Sequence, residues 1–370
     1  MTNAAKDAAA GILPAHMIEE LFASGAITAD RALDKDQVQP ASLDLRLGKV
    51  AWRVRASFLP GPGKSVASKL DRLKLHEFDL IGGAVLETGC VYIVPLLEEL
   101  DLPGDVAATT NPKSSTGRLD VFTRVISEEG CEFDTIPAGY KGGLFAEISP
   151  KTFPVLVRTG SRLSQIRFRR GHPTVSDAEL EGIDETAELI SGGHARIGNG
   201  LQLSIDLEGS GEDHLVGYRA KRHTGVIDMD VKAAHDPLDF WEPIHRRGAA
   251  ELILDPNEFY ILVSCEAVHV PPDFAAEMVP FDPLVGEFRV HYAGFFDPGF
   301  GHSEIGGAGS RAVLEVRSHN VPSILDHGQT VGRLIYERMA ERPKALYGEG
   351  SGSNYQGQAL KLSKHFHPVE

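Results

Sequence analysis

From residue 38 onward the hydrophobic positions fall in short runs, β-branched or alternating with polar residues, and cut by Gly, Pro, Asp and Asn. Runs of this kind predict strands. In the first half they are SLDLRLG (42–48), VYIVPL (91–96), LFAEIS (144–149) and VLVRTG (155–160). In the second they are LQLSIDL (201–207), FYILVS (259–264), FRVHYAGF (288–295) and AVLEVRS (312–318). One helix is predicted early, PAHMIEELFASG (14–25), with Pro14 at its start and Gly25 after its last apolar residue. Strands do not alternate with long helices, which argues against a doubly wound parallel sheet. Many short strands with tight turns imply a mainly β chain of antiparallel sandwich or barrel form.

The two halves share one register. Leu-Pro-Gly-Asp-Val-Ala-Ala at 102–108 answers Val-Pro-Pro-Asp-Phe-Ala-Ala at 270–276, an offset of 168 (270 − 102). The same offset pairs Tyr92 with Tyr260, Glu147 with Glu315, Pro154 with Pro322 and Gly160 with Gly328. A period this long indicates duplicated domains and not a solenoid. The expected organisation is a first repeat over 1–170, a connector over 171–198, a second repeat over 199–346 and a C-terminal tail over 347–370. The copies carry different polar residues, so a functional site can be divided between them.

Composition adds limits. At 370 residues, with 42% hydrophobic and 24% charged, the chain is ordinary for a soluble globular protein of two domains or more. No apolar run reaches the roughly 18 residues of a membrane span, and the N-terminus lacks the layout of a secretory signal. The three cysteines, Cys90, Cys131 and Cys265, fit neither a disulfide framework nor a zinc site. A reducing cytoplasm is the expected compartment. The net charge of −15 argues against binding to a nucleic-acid backbone, yet leaves room for a small polyanion in a local basic pocket.

Three motifs could carry chemistry. NPKSSTGRLD (111–120) sets Lys113, Ser114, Ser115 and Arg118 beside Gly117. Hydroxyls, cations and a flexible backbone suit a phosphate or carboxylate, although a polar surface turn has the same composition. YAGFFDPGFG (292–301) holds a turn signal between aromatics and reads as a pocket wall or as a structural hairpin. Glu147 and Glu315 each sit in the middle of an apolar strand. Each is either on a solvent face or buried, and burial would raise its pKa into the range useful for proton transfer near neutral pH. In the tail, YGEGSGSNYQGQ (347–358) is rich in Gly and Ser but carries Tyr347, Tyr355 and Gln358, and aromatics are uncommon in pure linkers. Two further matches fail. GPGKS (61–65) would need Gly at 58 to be a P-loop and has Phe58. His302-Ser303-Glu304 lacks the P-C-x-x-C half of a zinc deaminase.

Together these pieces resemble the dCTP deaminases of the trimeric dUTPase-like superfamily. The matching stretches are QPASLDLRLG (39–48), the [KR]SSxxRL loop from Lys113 to Leu119 and the D-P-G-[WF]-x-G hairpin from Asp297 to Gly301. Leu314-Glu315-Val316 and the ending Tyr347 with Asn354-Tyr355-Gln356-Gly357-Gln358 complete the set. The resemblance implies two dUTPase-like antiparallel β-barrel or sandwich (β-clip) domains. It also implies roles. Glu315 would be general base and acid, activating a water against C4 of cytosine, with Arg118 and Ser114 serving the same centre. Lys113, Ser115, Ala293, Asp297, Tyr347, Tyr355 and Gln358 would bind substrate, the last three residues closing over the triphosphate and Asp297 holding the sugar. Mg²⁺ would enter with the triphosphate, and no zinc or other metal would sit at the reacting carbon.

The departures matter as much. In the first copy Pro137 stands in the place of the hairpin Asp; in the second the Ser-Ser-x-x-Arg is gone and Gly286 or Glu287 falls at the Arg position. The resemblance therefore implies one complete site per chain, built from the loop of copy one and the hairpin, Glu315 and tail of copy two, with Glu147 a remnant. Asn354, where the family has Lys, removes one phosphate-neutralising charge. The leading expectation is zinc-independent hydrolytic deamination of dCTP to dUTP and ammonia. The alternatives are a bifunctional enzyme that goes on to dUMP, with Asp44 or Asp120 holding a second water, and a nucleotide-binding regulator without catalysis. The expected partner is a small-molecule nucleotide, with neither nucleic acid nor membrane, in a monomer or homo-oligomer.

Overall fold

The computed structural model describes residues 9–246, 248–280, 288–291, 294–318, 320–348 and 360–368. Among them strands dominate, as the alternating runs predict, and the early helix is present as Ala15–Ala23. The first half forms two sheets. One is ordered Thr135–Ile136, Val106–Pro112, Arg162–Arg170, Ser42–Arg46, Val38–Gln39, and the other Val121–Ser127, Lys141–Pro150, Val91–Asp101, Val50–Val54, Lys74–Asp79. The second half repeats the plan. Leu201–Ser204, Thr330–Arg338, Phe274–Pro280 and Phe295–Phe296 form one sheet; Trp241–His245, Leu215–Ala220, Phe259–Val268, Ser310–Ser318 and Phe288–His291 form the other. Val106–Pro112 and Phe274–Pro280, and Arg162–Arg170 and Thr330–Arg338, stand 168 residues apart at nearly identical bounds. Every pairing within these four sheets is antiparallel. No helix among the described residues is long and apolar enough to cross a membrane.

Apolar packing does not stop at the boundary between halves. The first core joins Leu43, Leu45, Phe153 and Val155 to Trp241, Phe259, Ile261 and Phe366 of the second half. Removing such side chains from water stabilises the fold by about 25 cal/mol per Å², so the halves are held in one orientation by the same force that folds them. A small sheet adds to this: Ile227 pairs in parallel with Val155, laying a second-half segment on a first-half strand edge.

Residues 171–198, expected as a connector, contain a helix, Asp177–Ala187, capped by reciprocal hydrogen bonds between Ser176 and Glu179. Its Leu180 packs with Leu189 and Ile190 in the second core. The acidic residues that made the stretch look like a linker are the polar face of that helix and its capping box.

Candidate active site

The Lys-Ser-Ser loop leaves the strand Val106–Pro112 and makes one short helical turn, Ser114–Gly117. Asp120, at φ 55°, then reverses the chain into Val121–Ser127. The buried Asp120 carboxylate accepts from the Thr152 hydroxyl at 2.6 Å and from Arg317 of the second half. The loop that the sequence left open as a surface turn is therefore largely buried, with Ser115, Thr116 and Arg118 all inside.

The hairpin starts at Phe295–Phe296, paired to Phe274–Pro280, and turns at Asp297. Its glycines have a steric reason. At Gly301 (φ 67°) a Cβ would lie 2.3 Å from the Val268 carbonyl oxygen, and at Gly299 (φ 93°) it would lie 2.8 Å from Leu346 Cβ. Gly294 faces the loop of the first half: a Cβ there would come 3.9 Å from Ser114 Oγ. Arg167 ties the two halves together. Fully buried, it donates to the carbonyls of Ala276 (3.0 Å) and Phe296 (3.3 Å) and pairs with Asp297 at 3.3 Å, while its guanidinium lies 4.0 Å over the Phe295 ring. Burial raises the Asp297 pKa above the ordinary carboxylate value, and Arg167 opposes the rise.

Glu315 lies in the middle of the strand Ser310–Ser318, in register with Ile261 on one side and His291 on the other. It is 4% exposed. Burial pushes its pKa from 4.5 up to about 8, against the pull of the Arg118 charge. Arg118 is itself fixed: its Nη1 donates to the Lys361 carbonyl at 2.8 Å. A carboxyl that gains and loses its proton near neutral pH is suited to general acid–base work.

These groups line one cavity of about 380 Å³, within the range of small-molecule sites. Lys113, Ser114, Ser115 and Arg118 come from the first half, and Asp297, Glu315 and Tyr347 from the second. Seven of the ten residues expected at the site thus meet in one place. The other three, Ala293, Tyr355 and Gln358, lie outside the described residues. Tyr347 is positioned by its backbone N–H on the Pro298 carbonyl (2.8 Å) and by its ring, 5.7 Å from Phe300. Asp44 is on the wall, bound to Lys113; Asp120 is not among the lining residues.

Sequence reasoning missed Arg167, Arg162, Lys232 and Lys364, the last three of which also line the cavity. For Arg167 a signal existed. It is a charge inside the apolar strand run SQIRFRR, the same signature that singled out the two glutamates. For Lys232 and Lys364 nothing local to their segments pointed to the site.

The counterpart of this site in the first half is filled. Glu147, 1% exposed, is held by Arg124 at 2.6 Å, and Arg124 also donates to Ser57 at 2.9 Å. The Arg124 guanidinium sits 3.5 Å over the Phe133 ring. Phe58, Val66 and Leu70 pack with Ile93, the register partner of Glu147, and with Ile126. The GPGKS stretch belongs to this cover: Ser65 caps the helix Val66–Leu73, accepting from the Ser68 N–H.

Among the described residues, one group has the spacing to hold a metal: Asp206, Cys265 and His327. Asp206 is already paired with Arg311, and His327 Nδ1 accepts from the Leu207 N–H at 3.2 Å. None of the three lines the cavity, and no described lining residue is His or Cys. His302, in the deaminase-like triplet, caps a short 3-10 helix, and Glu304 pairs with Arg342 at 2.6 Å.

Comparison with known proteins bears on this geometry. Residues 9–172 match the family described as 2'-deoxycytidine 5'-triphosphate deaminase (DCD) N-terminal domain, and residues 176–366 match its C-terminal domain. A solved structure from Agrobacterium tumefaciens, described as 2'-deoxycytidine 5'-triphosphate deaminase, is 64% identical with a TM-score of 0.87, covering 91% of this chain and 100% of its own. The "dCTP deaminase, dUMP-forming" of Beutenbergia cavernae is 30% identical over 161 residues, 41% of this chain and 79% of that protein. The "dCTP deaminase" of Shewanella amazonensis is 27% identical over 161 residues, 41% of this chain and 80% of that protein.

Proposed function

The chain belongs to the dCTP deaminase family, and from that premise we propose that it converts dCTP and water to dUTP and ammonia at one composite site between its halves, without zinc. The observation that carries this reading is the single cavity in which Ser114 and Arg118 of one half meet Glu315 and Asp297 of the other. Glu315 takes a proton from water as the oxygen adds to C4 of cytosine. It delivers that proton to N3, then carries the second proton, released by the C4 hydroxyl as the carbonyl forms, to the exocyclic nitrogen, which leaves as ammonia. Arg118 and Ser114 stand at the same centre, and Asp297, held by Arg167, takes the sugar. General acid–base help from one carboxyl supplies about 10²–10⁴-fold, so positioning and fixed dipoles supply the rest.

Magnesium enters as part of the substrate. The wall carries Asp34, Asp36 and Asp44, but Arg162 engages the first two at 2.8 and 2.9 Å and Lys113 the third. The fit is therefore to an ion held by the phosphates and water, as Mg²⁺ usually is. The dUMP-forming relatives support a second reading of the product, in which Asp44, on the wall and paired with Lys113, orients a second water. Asp120, tied to Thr152 and Arg317, is removed from that role.

Product analysis tests the proposal: purified protein with dCTP and Mg²⁺, a parallel dUTP sample and a zinc-chelator control. Formation of dUTP and ammonia that survives chelation supports it, dUMP selects the second reading, and no turnover rejects both. The composite site fails if Arg118→Ala and Glu315→Gln are active while Glu147→Gln is dead.

A further inference from the structure

The segment that follows the tail motif is built into the body. Leu362, Ser363, His365 and Phe366 are buried. The Ser363 hydroxyl donates to the Ser115 carbonyl at 2.8 Å, and His365 Nε2 donates to the Met229 carbonyl at 3.0 Å. The Ala233 and Ala234 N–H groups bond the Lys364 and His365 carbonyls at 3.0 and 2.9 Å. Phe366 closes against Phe240 and Trp241, at ring separations of 5.4 and 6.0 Å. With the residues on both sides of Lys364 locked in this way, its side chain is delivered to the cavity wall beside the Lys-Ser-Ser loop, where Lys232 also arrives.

We propose that Lys364, presented by this C-terminal anchor, is a substrate-binding residue that grips the triphosphate together with Lys113 and Lys232. This rests on the nucleotide reading of the cavity and names a part of it that lies outside the tail motif. The electrostatics point the same way. Burial and the nearby charges of Lys113 and Lys232 push the Lys364 ammonium down to about 8. Like charges gathered at a partly buried wall are relieved by a bound polyanion. Among the lining carboxylates, Asp34 and Asp36 pair with Arg162, Asp44 with Lys113, Asp230 with Arg158 at 3.2 Å and Asp297 with Arg167.

The test is steady-state kinetics of wild type, Lys364→Gln and Lys364→Arg with dCTP and with deoxycytidine, alongside calorimetric titration of each protein with inorganic tripolyphosphate. A charged hydrogen bond is worth about 10–100-fold in binding. The expected result is a rise of that size in KM for dCTP in Lys364→Gln, with kcat within about 3-fold. Tripolyphosphate binding should weaken in parallel, and Lys364→Arg should recover most of both. Loss of kcat at unchanged KM, or an equal loss with deoxycytidine, would overturn the proposal in favour of a structural role. If wild type binds tripolyphosphate through Lys364 but leaves dCTP intact, the anion site stands and the deaminase reading falls. If dCTP is turned over and Lys364→Gln keeps the wild-type KM, this proposal alone falls.

Discussion

Replacing Glu315 by Gln should abolish turnover and at the same time stabilise the protein at alkaline pH. The carboxyl is buried, and its pKa is raised from 4.5 to about 8. A group raised in the folded state contributes its full stability below the unfolded pKa and loses it as pH rises through the folded one. Between pH 4.5 and 8 the unfolded chain releases this proton while the native protein holds it, so wild type loses stability across that window and no further above it. At about 1.4 kcal/mol per pK unit, the loss between pH 5 and 8.5 is about 4 kcal/mol, an upper value for a carboxyl in a cavity that water can enter. The amide of the Glu315→Gln variant has no proton to release. The pH-independent effect of exchanging a carboxyl for an amide cancels when the two pH values are compared.

At roughly 2.1 cal/mol/K per residue, unfolding of all 370 residues carries about 0.8 kcal/mol/K, so 4 kcal/mol moves Tm by about 5 °C. The assay is thermal unfolding of both proteins at pH 5 and pH 8.5. The variant's Tm advantage should grow by several degrees at the higher pH. An advantage that is the same at both would refute the raised pKa, and with it the reason for giving this carboxyl the proton-transfer role.

Three further outcomes follow from the same geometry. The kcat/KM for dCTP should rise with pH through an apparent pKa near 8, because the free enzyme needs Glu315 ionised to accept a proton; a flat profile from pH 6 to 9 would contradict this. Glu147→Gln should keep turnover within about 3-fold, yet lower stability by about 1–3 kcal/mol in denaturant unfolding by leaving the partly exposed Arg124 short of its partner. Arg167→Lys keeps the charge but loses the planar fork that spans Asp297 and two carbonyls, so KM for dCTP should rise about 10-fold or more, with little change in the pH profile.

Much of this molecule was legible in its sequence because strands and repeats leave local marks. A period-2 run has to alternate in order to bury one face, and a duplicated strand keeps its register, so SLDLRLG, LFAEIS and AVLEVRS could be placed without coordinates. The glutamates stood out because a carboxylate within an apolar run has few explanations. The helix inside segment 171–198 was not legible for the converse reason: the polar face of a short helix and a solvent-exposed connector have the same composition. Lys232 and Lys364 could not be read at all. Each belongs to a segment whose own pattern is ordinary, and only the packing of Phe366, His365 and Ser363 carries Lys364 to the site. Residues from widely separated stretches of chain converge on one cavity, and convergence of that kind has no local signature.

The two glutamates stand at one register of the 168-residue offset and meet different surroundings. A wall built across an interface needs a complementary set on each side, and a fused pair of domains has two such pairings to maintain. Because one chain carries both halves, the contact between them is intramolecular and its effective concentration is high. Either pairing can then decay while the other is retained. A buried carboxylate is a liability wherever it lacks a partner, because an unpaired charge in the interior costs several kcal/mol. Arg124 meets that need at Glu147, stacked on Phe133 and covered by the helix Val66–Leu73. No side chain can do the same at Glu315 if the cavity is to stay open, and the lack of a comparable neutralising partner among the described residues is what holds its pKa near neutrality. The Arg118 charge lowers the Glu315 pKa only in part, and its Nη1 donates to the Lys361 carbonyl of the C-terminal anchor. Occupancy by Arg124 and open space before Glu315 are thus two outcomes of one electrostatic problem: the first half pairs its buried glutamate, and the second leaves one whose pKa burial raises.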